Sequence, residues 1–125
     1  MTLDELNSKF VYKPDYKQYG RVEYWTVMKE DEDGKMYGDC EDYALTAQAM
    51  IDEYGDWDLY YVELKDGAGH CVLYKDGYVL DNILRVPTIK GAYRNIVGYN
   101  TFRKFWAIEI FALKLLGKFY KVISK

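Results

Sequence analysis

The stretch GHCVLYKDGYVLDN, residues 69–82, decides the fold, because Asp76-Gly77 stands between two runs rich in Tyr, Val and Leu. An Asp-Gly pair in that setting is a strong signal for a two-residue hairpin between antiparallel strands, His70 to Lys75 and Tyr78 to Asn82. The turn sets the register: Lys75 faces Tyr78, and Val72 therefore faces Asp81. Side chains alternate across a sheet, so His70, Val72 and Asp81 share one face, with His70 and Asp81 as diagonal neighbours. The imidazole and the carboxylate can meet. Cys71 points to the other face and reads as a small core residue.

Outward from the hairpin, Leu59 to Leu64 adds a strand to the meander across Lys65-Asp66-Gly67-Ala68-Gly69. Upstream, Tyr43, Ala47, Met50, Ile51 and Tyr54 recur at helical intervals and predict a helix from Cys40 to Glu53. Asp39 can serve as its N-cap with Asp42 three residues on, and Gly55 can close it. Cys40 then lies in the first turn, where unpaired N–H groups and the helix dipole favour a thiolate. Glu30-Asp31-Glu32-Asp33-Gly34-Lys35 reads as a solvated turn, and residues 20 to 28 alternate as an extended segment. Thr2 and Glu5 have capping-box spacing ahead of Leu6 and Phe10, which predicts a short N-terminal helix. Beyond Asn82, a strand at Phe105 to Ile110 followed by a helix is preferred to one long helix. An amphipathic membrane segment over residues 102–125 is the rarer alternative to a buried closing element.

With 125 residues and 50% hydrophobic content, the chain suits one domain spanning residues 1–125, whose residues 102–125 form a basic, aromatic C-terminal element. Met1-Thr2-Leu3-Asp4-Glu5 lacks the basic start and apolar run of a secretory signal, and no window is apolar enough to span a membrane. A cytoplasmic monomer with reduced cysteines is the expectation. Residues 1–82 carry 8 basic and 19 acidic side chains, and residues 83–125 carry 9 basic and 1 acidic. Neutralisation of the acidic half by the basic half is favoured over binding of nucleic acid or another anionic polymer.

The residues that carry chemistry are Cys40, His70 and Asp81. A thiol nucleophile needs a base, a group to orient that base, and donors for the oxyanion. His70 is the single histidine of the chain, and the hairpin register gives it Asp81. The Cys40 backbone N–H is one oxyanion candidate, and the Trp25 indole or the Gln18 amide is the candidate for the second. Taken singly, Cys40 could be a buried hydrophobe and His70 a hydrogen-bonded strand residue; jointly with Asp81 they favour catalysis. Asp39, Glu41 and Asp42 oppose a thiolate, because negative charge raises a thiol pKa. Plain capping and hydration of these acids is preferred, so no cofactor is required, and a calcium ion held by them is the alternative. Zinc on Cys40, His70, Cys71 and Asp81 is disfavoured, since the spacing matches no common zinc pattern.

Gly38-Asp39-Cys40-Glu41-Asp42-Tyr43-Ala44, Gly69-His70-Cys71-Val72-Leu73 and Val79-Leu80-Asp81-Asn82 resemble the three motifs of bacterial transglutaminase-like cysteine proteinases. Tyr19 to Trp25 is similar to the segment that precedes the family's cysteine motif, and the resemblance runs over residues 12 to 106. It implies a papain-like or transglutaminase-like α+β fold, a nucleophile-bearing helix packed on an antiparallel sheet, with Cys40, His70 and Asp81 as triad. The implied activity is a thiol hydrolase cleaving a peptide or isopeptide bond of a protein or peptide substrate. Acyl transfer, deamidation and a non-catalytic binding module on the same fold are the alternatives. Calcium dependence of periplasmic members would map onto Asp39 and Glu41. The chain departs from the pattern in its shortness, in Cys71 where alanine is common, and in its basic tail. Compactness without an export signal suits a cytosolic or phage-encoded member.

Overall fold

The computed structural model of the protein describes residues 1–13 and 27–105. Helix α1 (Leu3–Lys9) starts at the predicted capping box, in which Thr2 Oγ1 accepts the Glu5 N–H at 3.2 Å and Glu5 Oε1 accepts the Thr2 N–H at 3.3 Å. Two of the donors that a helix start leaves unpaired are thereby satisfied. The chain runs on into strand β1 (Phe10–Tyr12), which pairs in parallel with β2 (Met36–Gly38). Between them the predicted acidic turn is present, with Asp31 Oδ1 accepting the N–H groups of Asp33 and Lys35 at 2.9 and 2.8 Å. The extended segment expected over residues 20–28, with Trp25 and the Gln18 upstream of it, falls outside the described residues except for Val27 and Met28, which form no strand.

Helix α2 (Cys40–Met50) ends earlier than predicted. Ile51 turns extended at φ −117° and ψ 114°, and a 3₁₀ turn, Asp52–Tyr54, follows and closes on Gly55. The break swings Tyr54 into the core, where its ring meets Trp57 edge-on at 4.8 Å. That contact outweighs three more residues of helix.

The remaining elements are β3 (Asp58–Leu64), β4 (Gly69–Lys75), β5 (Tyr78–Leu80), β6 (Thr88–Ile89), helix α3 (Lys90–Ile96) and β7 (Tyr99–Lys104). They build one antiparallel sheet in the order β6-β5-β4-β3-β7. Asp76 and Gly77 adopt φ of 51° and 88°, the positive pair that a two-residue hairpin requires. Lys75 pairs with Tyr78, Tyr74 with Val79 and Leu73 with Leu80, which is the predicted register. The last described strand lies upstream of the expected Phe105 to Ile110: Tyr99 and Phe102 supply its inward side chains, Phe105 stands just past its end, and residues 106–110 lie outside the described residues.

The sheet has two apolar faces. One packs Leu59, Cys71, Leu73 and Leu80 against Tyr43, Ala44 and Ala47 of α2, and the other gathers Val62, Val72 and Val79 with Tyr93 of α3 and Tyr99. Each fully buried aliphatic side chain contributes roughly 1.5–3 kcal/mol. Cys71 sits on the α2 face, as the alternation demands. Among the described residues no helix is long and apolar enough to cross a membrane.

Candidate active site

Cys40 is the first residue of α2 and packs, half-buried, against the core on the α2 face. What places it there is Gly38, since a Cβ at that position would stand 2.6 Å from Asp42 Cβ and 2.8 Å from Met28 Sδ. Only glycine lets β2 pass so close to the helix start. The Met28 N–H is donated in turn to the buried Thr46 Oγ1 at 2.8 Å, which ties the preceding segment to α2.

The thiol donates to Glu41 Oε2 at 3.0 Å, and His70 is not its hydrogen-bond partner. Burial pushes the Cys40 thiol well above its ordinary pKa, and the charge of Glu41 adds to it. The same burial, with the hydrogen bond and charge of Asp39, pushes Glu41 itself up to about 9. Glu41 is thus an uncharged acid at neutral pH, and the motif bears less negative charge than its three acids imply. Asp39, Cys40 and Glu41 bring one ligand atom each within 4.8 Å of one another. Among the described residues, Asp39 Oδ1 is buried without a hydrogen-bond partner. Asp42 stands outside that group and serves the cap, its Oδ2 accepting the Asp39 N–H at 3.2 Å.

On β4, His70 Nε2 lies 2.8 Å from Asp81 Oδ2, both groups being buried. Asp81 stands just past the end of β5, where the chain turns. Its Oδ1 accepts the N–H groups of Ile83 and Leu84 at 3.1 and 2.9 Å, and its backbone carbonyl accepts the Arg85 N–H at 2.9 Å. Burial alone would raise the Asp81 carboxyl, but hydrogen bonds from His70 and from the Tyr93 hydroxyl outweigh it and hold the group below its ordinary value. Tyr93 donates to the same Oδ2 at 2.5 Å. No local pattern signals this partner, because it is twelve residues on, beyond an irregular crossing. Trp25 and Gln18 lie outside the described residues.

The described residues therefore bring His70 and Asp81 together and leave Cys40 bonded to Glu41. A helix with a cysteine in its first turn, laid on an antiparallel sheet that carries a buried histidine–carboxylate pair, makes this an α+β protein. The sequence model of the bacterial transglutaminase-like cysteine proteinases (BTLCP) matches residues 3–93. The chain belongs to that family, which is one of cysteine proteinases. The match begins upstream of the expected residue 12, taking in α1, and stops short of the expected residue 106, at Tyr93. A search of curated proteins returns no match.

Proposed function

We propose that the protein is a thiol peptidase in which Cys40, His70 and Asp81 act as a triad on a peptide or isopeptide bond. The observation that carries this reading is the buried His70 Nε2 to Asp81 Oδ2 bond at 2.8 Å. With an ionised Asp81 as acceptor, the ring proton sits on Nε2 and the Nδ1 lone pair serves as the base. Nδ1 takes the Cys40 proton, the thiolate attacks the carbonyl carbon, and the imidazolium returns the proton to the leaving amine. Water, deprotonated by the same nitrogen, then resolves the thioester. The Cys40 N–H at the start of α2 is suited to the oxyanion, with Trp25 or Gln18 as the candidate for the second donor. An amine in place of water would give acyl transfer from the same thioester.

In this reading the Cys40–Glu41 bond is a resting arrangement that the thiol leaves to meet His70. A hard dication such as calcium fits the carboxylates beside it, given the orphaned Asp39 Oδ1. Asp39 and Glu41 would hold it, Glu41 giving up its proton to do so, and the ion would supply positive charge that offsets the repulsion of a thiolate by the two carboxylates. Calcium should then quicken alkylation of Cys40, a readout independent of any substrate, and a chelator should reverse it.

The activity is tested by exposing wild type and Cys40→Ala to a bacterial lysate and searching by mass spectrometry for acyl adducts on residue 40 and for cleaved peptides. Adducts and cleavage confined to the wild type support the peptidase. Cleavage that persists in Cys40→Ala refutes it, and amine incorporation without cleavage would replace hydrolysis by transfer.

A further inference from the structure

We infer that Tyr93 is a positioning residue for this triad, an inference that rests on the reading of Cys40, His70 and Asp81 given above. Asp81 lies beyond the last ladder pair of β5, so the sheet does not hold its side chain. Ile83 and Leu84 fix Oδ1 alone. The orientation of Oδ2, the oxygen that meets the imidazole, is left to its own partners. Those partners come from two elements: His70 from β4 and Tyr93 from α3, whose hydroxyl reaches Oδ2 at 2.5 Å. Two donors converging on one oxygen pin the carboxylate plane and aim it at Nε2.

The setting of Tyr93 argues that its hydroxyl is there for Asp81. The side chain is 0% exposed and packs among Val62, Val72, Val79 and Tyr99. A phenylalanine would fill that apolar site as well, and a buried hydroxyl is costly unless bonded. Burial and the Asp81 charge push the Tyr93 pKa upward, so the group remains a donor. With Oδ2 held, Nε2 keeps its proton and Nδ1 keeps the lone pair that the thiol needs. Tyr93 also links α3 to the site, although the helix carries no residue of the triad.

A single histidine in the chain makes the test direct by ¹⁵N nuclear magnetic resonance. The neutral wild type should show the Nε2–H tautomer, with a protected, downfield Tyr93 hydroxyl proton giving a cross-peak to the His70 Nε2 proton. In Tyr93→Phe the hydroxyl resonance should vanish, the ring nitrogens should shift toward mixed tautomers, and alkylation of Cys40 should slow roughly tenfold. Absence of the cross-peak in the wild type overturns the inference, whether or not Tyr93→Phe folds. A folded Tyr93→Phe with unchanged ring shifts overturns it as well. If ring shifts respond to Tyr93→Phe while alkylation ignores His70→Ala, the triad falls and the positioning role falls with it. If alkylation responds to His70→Ala but neither readout responds to Tyr93→Phe, the triad stands and Tyr93 alone is rejected.

Discussion

At Cys40 the electrostatics run against the simplest picture of a thiolate at a helix start. The dipole favours the anion, worth up to roughly 1 kcal/mol at an exposed terminus, yet burial and Glu41 together push the thiol up. Glu41 titrates at about 9, so its charge is absent at neutral pH and arrives as the solution becomes alkaline. Glu41→Gln should therefore alkylate at Cys40 much as wild type does near neutrality, and several-fold faster once pH passes about 9. A constant ratio across that range would show that Glu41 does not govern the thiol. Asp81 has the opposite sign. Its folded pKa is depressed, so its contribution is complete above the unfolded value of about 3.9 and is lost as pH falls through the folded one. Asp81→Asn should cost roughly 1–3 kcal/mol in denaturant melts at neutral pH, and the gap to wild type should narrow in strong acid. That the acids beside Cys40 oppose its thiolate and that Asp81 meets His70 were legible from spacing and register; the raised pKa of Glu41 and the Tyr93 bond to Asp81 were not, since they depend on which side chains are buried together.

Elements were legible where a local rule fixes them. Thr2 and Glu5 placed α1, and Asp76-Gly77 set the β4–β5 register that brings Asp81 within reach of His70. The rest depended on tertiary contacts. Tyr54 stops α2 by packing on Trp57, and β7 forms at a polar edge because Tyr99 and Phe102 face inward toward the core beside β3. Asn7 ties α1 to α2 and to the loop after Asp81 in a way no spacing signals: it accepts from the Tyr43 hydroxyl at 2.6 Å and donates to the Arg85 carbonyl at 2.7 Å. Arg85 adopts φ 62°, a left-handed conformation unfavourable for a side chain, directly after the turn that holds Asp81. Asn7→Ala should cost roughly 1–3 kcal/mol in thermal or denaturant melts, because it leaves two part-buried groups short of a partner. Gly38→Ala should cost about 1–3 kcal/mol through its clash with Asp42 and Met28. Wild-type stability in either variant would show that the neighbouring segments yield.

Across the whole molecule, charge is divided along the chain, with residues 83–125 holding 9 basic and 1 acidic side chain. Several of those cations lie against the protein itself: Lys104 pairs with Asp58 at 3.3 Å, Arg85 covers the Phe10 ring at 5.1 Å and Lys90 the Phe102 ring at 4.5 Å. The family match over residues 3–93 takes in Cys40, His70, Asp81 and Tyr93 together. The residue types of the site were legible from motif order and hairpin register. The partner of the thiol was not, because a neighbouring carboxyl one residue away competes with a histidine thirty residues on. If Cys40 answers to His70, the alkylation rate of Cys40, assigned by peptide mapping, must differ between wild type and His70→Ala with calcium supplied. The variant should lose roughly tenfold or more in rate. Equal rates in the two proteins would contradict that dependence.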